Sequence, residues 1–98
     1  MPIKYNNDIT VATLYKFVEI NDLQALRSKI HKLCKENNAK GTILLAKEGI
    51  NGTIAGKRRN ISQIIKSLKK VFNFKDFDSK NISQSHFQPF HKLSLIHI

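Results

Sequence analysis

The sequence predicts an α+β fold, a ferredoxin-like (acylphosphatase-like) βαββαβ sandwich with two helices on one face of a four-stranded antiparallel sheet. Three observations carry this expectation. Two segments place apolar residues at spacings of three and four, the mark of a helix with one buried stripe. Four short β-like runs alternate with them in the order β-α-β-β-α-β. Between the helices lies GTILLAKEGINGTIAG (41–56), which holds all four glycines of the chain. Two apolar runs with a short Gly-containing connection make a hairpin.

Taken in order, residues 1–8 are polar and expected to fray. The run ITVATLYKFVEI (9–20) is rich in β-branched and aromatic residues. Thr13, Tyr15 and Phe17 alternate with Leu14, Lys16 and Val18, which suits a central strand covered on at least one side. Asn21 or Asp22 is placed to cap a helix whose stripe is Leu23, Leu26, Ile30 and Leu33, with Asn37–Asn38 and Gly41 ending it. GTILLAK (41–47) then reads as a strand, EGIN (48–51) as a turn and GTIAG (52–56) as the return strand. A second helix is expected from about Asn60 to Phe72, with Ile61, Ile64, Ile65, Leu68, Val71 and Phe72 on one side. Residues 73–85 show no clear period and read as loop. The tail FHKLSLIHI (90–98) alternates and reads as the last strand.

Ninety-eight residues with 41% hydrophobic content suffice for one packed core and not for two. The expectation is a single domain over 1–98. Seventeen Lys and Arg against seven Asp and Glu give a formal net charge of +10. Such a balance favours polyanions: RNA, DNA or an anionic membrane surface. The single cysteine, Cys34, excludes an internal disulfide and a cysteine-based zinc cluster within one chain. No apolar run approaches the length of a membrane span and the N-terminus lacks a signal-peptide core. The chain reads as cytoplasmic, without a membrane partner.

The glycine segment is neither a Walker loop nor a dinucleotide fingerprint. Lys57 follows Gly56 without the required spacing, and Gly49-Ile-Asn-Gly52 sits between two strands rather than between a strand and a helix. One reading is a demanding turn relieved by Gly49 and Asn51-Gly52. The other is a ligand or docking corner, in which Glu48 and Asn51 present polar groups beside backbone amides at Gly49 and Gly52. Acylphosphatase-type chemistry needs an anion cradle and a guanidinium between the first strand and first helix. VEINDL stands there, acidic and without Gly or Arg, so no catalytic residue is assigned. His31, His86, His91 and His97 are scattered, and His86 and His91 have a poor metal spacing. No metal and no cofactor are expected. Cys34, one step from Leu33 beside the apolar stripe, reads as a packed core thiol.

The basic residues admit two readings. Lys29 and Lys32 lie off the apolar stripe of the first helix. Arg59, Lys66 and Lys70 share a face of the second, with Lys57, Arg58 and Lys69 beside it. They form either a solvated helix face or one basic surface that engages phosphates by charge. The aromatics do not form the paired strand motif of an RNA-recognition domain.

ATLYKFV (12–18), GTILLAKEGINGTIAG (41–56), the helix after it and PFHKL (89–93) resemble the N-terminal domain of the rhodanese-domain tRNA uridine hydroxylases, the YceA/TrhO group. The resemblance covers nearly the whole chain. It implies a part in oxygen-dependent 5-hydroxylation of the wobble uridine of tRNA, with tRNA and a following rhodanese domain as partners. The family's reactive cysteine belongs to that rhodanese domain, and Cys34 takes no such role. After PFHKL the chain reads SLIHI, where the resemblance leads one to expect a basic stretch running into the rhodanese domain. The chain is therefore expected to be an N-terminal fragment and inactive alone. Its expected contribution is basic surface for tRNA, or a hairpin that docks on the rhodanese domain.

Overall fold

The computed structural model describes residues 9–97; the N-terminal octapeptide expected to fray and Ile98 lie outside them. The elements are β1 (Ile9–Phe17), α1 (Leu23–Glu36), β2 (Lys40–Ala46), β3 (Gly49–Lys57), α2 (Arg58–Phe72), β4 (Ser79–Ser85) and β5 (Leu93–His97). They form the expected sandwich with one strand more than predicted: a five-stranded sheet in the order β4-β1-β3-β2-β5. β1 pairs antiparallel with β3 and β4, and β2 antiparallel with β3. β5 lies parallel to β2, so the sheet is mixed rather than wholly antiparallel.

The strand that closes the βαββαβ order is Ser79–Ser85, inside the segment read as loop. The tail read as that strand is a fifth one, at the opposite edge. β4 reads SKNISQS, with one apolar residue and almost every position exposed. It is held by its backbone ladder to β1 and not by burial, so hydrophobic period carries no trace of it.

Burial explains the rest. Ala12, Leu14, Ile43, Leu45, Ile50, Ile54 and Leu95 meet Ile30 and Cys34 of α1 and Ile61, Ile64 and Leu68 of α2 in one core. Leu23, Leu26, Leu33, Ile65 and Phe72 pack at its margin. α1 lies over β2 and β5, and α2 over β1 and β3. Among the described residues, no helix lies on the opposite face of the sheet. Val11, Thr13, Tyr15 and Phe17 alternate onto it, which fits the expected central strand covered on one side.

Local chemistry sets the helix ends. Asp22 caps α1, its side chain accepting from the Ala25 amide at 3.0 Å. Asn38, with φ of 51°, turns the chain out of α1. α2 begins directly after β3, two residues before the expected start, and Asn73 ends it in the left-handed conformation. The Arg27 guanidinium donates to the Leu95 carbonyl at 3.0 Å, tying α1 to the added strand.

Candidate nucleic-acid interface

The hairpin is tighter than the sequence suggests. Ala46 pairs with Gly49, so the turn is only Lys47 and Glu48, and Gly49–Asn51 belong to β3 rather than to a turn. The carbonyls of Glu48 and Lys47 accept from the amides of Val18 (3.0 Å) and Ile20 (2.9 Å). The hairpin tip is thereby clamped to the loop between β1 and α1. Two amides of that loop are consumed, in the place where an acylphosphatase-type cradle would need free donors. Gly49 lies against β1 so closely that a Cβ would collide with the Lys16 carbonyl oxygen, and its φ is +156°. A Cβ on Gly52 would stand 2.6 Å from the Thr42 carbonyl oxygen. The glycines at Gly49 and Gly52 thus let backbones meet.

The polar members of this corner are solvent-facing. Glu48 and Asn51 are exposed, and with Tyr15, Phe17, Leu44 and Ala46 they line a shallow depression on the helix-free side of the sheet. Tyr15 and Phe17 stand edge to face with ring centroids 4.8 Å apart, and Phe17 is 62% exposed. Alternation placed both rings on one face of β1. Their meeting with the hairpin follows from the pairing of β1 with β3, which sequence reading did not use.

The cations divide into two groups. In the first, Lys29 lines a depression with Glu19 and Asp22, and Lys32 lies 3.9 Å from Glu36 on an exposed helix surface. The second belongs to α2. Arg58, Lys66 and Lys69 line a groove of about 640 Å³ between α2 and β4, together with Ser62, Ile65 and Ile82. Lys66 and Lys69 also join Lys70 in an adjoining depression with Phe74. Lys57 and Arg59 are exposed at the junction of β3 and α2. The first turn of α2 holds no acidic residue. Lys57, Arg58 and Arg59 therefore add to the positive end of the helix dipole, an arrangement unfavourable to the isolated helix. Arg58, Arg59, Lys66 and Lys70 make no ion pair among the described residues.

One cation at this face escaped the sequence reading. Lys80 on β4 also lines the groove. Asp76 Oδ1 lies 3.3 Å from Lys80 Nζ and 3.4 Å from Lys69 Nζ, one carboxylate between two ammonium groups. A backbone hydrogen bond from Phe77 and then the Lys80 contact hold Asp76 below the ordinary carboxylate range. Asp78 is held down likewise, first by the Phe17 amide at 2.7 Å and then by Lys16. Cys34 is fully buried in the core, where desolvation pushes its thiol up to about 11. It packs as expected, and a thiol so seldom ionised is a poor nucleophile. Among the described residues no three His, Cys, Asp or Glu gather as a metal site, and no helix is long and apolar enough to cross a membrane.

Comparison with known proteins agrees with the fold. The UPF0176 acylphosphatase like domain matches residues 9–96. The tRNA uridine(34) hydroxylase of Pelagibacter ubique is 45% identical over 78 residues, 80% of this chain and 26% of that protein. The tRNA uridine(34) hydroxylase of Agrobacterium fabrum is 38% identical over 90 residues, 92% of this chain and 28% of that protein. The chain thus spans about a quarter of the length of these curated relatives. Among solved structures, an acylphosphatase from Coxiella burnetii matches with a TM-score of 0.61 at 14% identity, covering 97% of this chain and 99% of that one. The BLUF protein BlrB matches with a TM-score of 0.64 at 12% identity, covering 92% and 73%. Likeness at such low identity speaks to the fold alone. With residues 9–96 matched, nearly its whole length, the chain belongs to the UPF0176 acylphosphatase-like domain family.

Proposed function

We propose that the chain is a non-catalytic module of a tRNA-modifying enzyme that hydroxylates the wobble uridine, and that it contributes basic surface for tRNA binding. The observation that carries the reading is the run of exposed cations on α2. Arg58, Arg59, Lys66 and Lys70 lack ion pairs among the described residues, in a chain of net charge +10. The relatives named tRNA uridine(34) hydroxylase supply the polyanion such a face would meet. Its role is to hold and orient tRNA, while the reacting groups belong to a rhodanese domain of the intact enzyme. Amide NMR shifts of the 98-residue chain, recorded with a tRNA anticodon stem-loop at two salt concentrations, test it. Salt-sensitive shifts along α2 are expected. Spectra that stay unchanged at low salt reject RNA binding by this domain.

The sheet face that no described helix covers favours a second, compatible reading. Phe17, Tyr15 and Leu44 beside the clamped hairpin offer an apolar surface edged by Glu48 and Asn51. We infer that this corner docks on the rhodanese domain and shapes its active site. Adding that domain in trans should shift the amides of Glu48 to Gly52, and their silence would exclude the contact.

A further inference from the structure

The groove between α2 and β4 exists because the helix layer is narrower than the sheet. α1 and α2 cover the four strands β5, β2, β3 and β1 and leave β4 overhanging. Arg58, Ser62, Ile65, Lys66 and Lys69 recur at helical spacing on one wall, and Lys80, Ile82 and Gln84 alternate on the other. Ile61 and Thr10 form the floor, where the Thr10 hydroxyl is already used in donating to Gln84 at 3.1 Å. From Arg58 to Lys69 the helix rises about 16 Å, enough to follow several phosphates of one strand. Among the described residues, one carboxylate stands against these four cations: Asp76, shared by Lys69 and Lys80.

We propose that this groove is the track for the phosphodiester backbone of an RNA strand, with Lys80 of β4 as a contact residue and Asp76 as an internal counter-charge that moderates affinity. The proposal rests on the tRNA reading above and specifies its site. Lys29 and Lys32 lie outside the track, beside acidic neighbours. Recognition is by charge and shape. Among the described residues the walls present cationic, aliphatic and uncharged polar side chains and no aromatic ring on which a base would stack, so affinity depends on salt more than on base sequence. The concave form suits a strand better than a flat lipid surface.

The test compares three variants of the 98-residue chain with the unaltered protein, using an anticodon stem-loop and fluorescence anisotropy across a salt series. All the substituted side chains are exposed, and circular dichroism confirms folding. R58A/K66A/K80A should weaken binding about tenfold or more at low salt and reduce the slope of log affinity against log salt by about 2. K29A/K32A should leave both nearly unchanged. Asp76→Asn keeps an acceptor for the Phe77 amide and frees two ammonium groups, so binding should tighten about two- to fivefold. If the stem-loop binds and the groove triple matches the unaltered protein, the groove is wrong and the tRNA reading survives. If the unaltered protein fails to bind RNA, both fall. A groove-dependent affinity confined to phosphatidylserine vesicles would also overturn the proposal.

Discussion

At Gly49 the role of the hairpin glycine reduces to a single atom. A Cβ there would meet a backbone carbonyl of β1, which no side-chain rotation relieves. Gly49→Ala should lower stability by about 2–3 kcal/mol in urea denaturation, and a change below about 0.5 kcal/mol would contradict the packing argument. Cys34 makes a second residue-level prediction. A core thiol raised to about 11 should resist a disulfide-exchange reagent at neutral pH until the chain unfolds. Rapid labelling of the folded protein would show the site to be open. Asp76 and Asp78 both titrate lower in the folded chain than their ordinary value of 3.8. Their contribution to folding is whole above that value and is lost as pH falls through the lowered ones. Acid unfolding should therefore steepen below pH 3.8, and the Asp76→Asn and Asp78→Asn variants should blunt that limb.

At the scale of elements, legibility followed burial. Both helices were readable because each buries one stripe. Ile61, Ile64 and Leu68 sit in the core as their spacing foretold, whereas Val71 at the end of α2 is 38% exposed. Leu68→Ala should cost about 3 kcal/mol, measured by thermal or urea unfolding, and a nearly neutral result would misplace the stripe. β4 was not readable, because an edge strand held by backbone bonds leaves no apolar period. Asp78 pins its start by accepting from the Phe17 amide and from Lys16, contacts 61 and 62 residues apart in sequence. The tail was legible as a strand, but its parallel pairing with β2 depends on a long-range register. In the hairpin, the sequence suggested a four-residue turn, EGIN (48–51), relieved by Gly49 and Asn51-Gly52. The observed turn is two residues long, with Gly49 inside the strand because backbone packing demands it there. The sequence put Arg59, Lys66 and Lys70 on one face of α2 with Arg58 and Lys69 beside it, whereas the groove gathers Arg58, Lys66 and Lys69. Lys80 was not legible, since its position depends on a strand the pattern does not announce.

The whole molecule is a sandwich with two unlike sides and one overhanging edge. The helix side gathers positive charge along α2, the side that no described helix covers offers Phe17 and Tyr15, and the groove at β4 joins α2 to the sheet edge. Family membership and the names of the relatives make tRNA the polyanion to test. The excess of cations makes salt the variable that tests it, because each neutralised phosphate releases condensed counterions. Equilibrium binding of the 98-residue chain to an anticodon stem-loop across a salt series is the most direct measurement. Saturable binding is expected at low salt, with log affinity falling linearly with log salt at a slope of about −2 or steeper. Absence of saturable binding at low salt, or binding indifferent to salt, would contradict the tRNA reading.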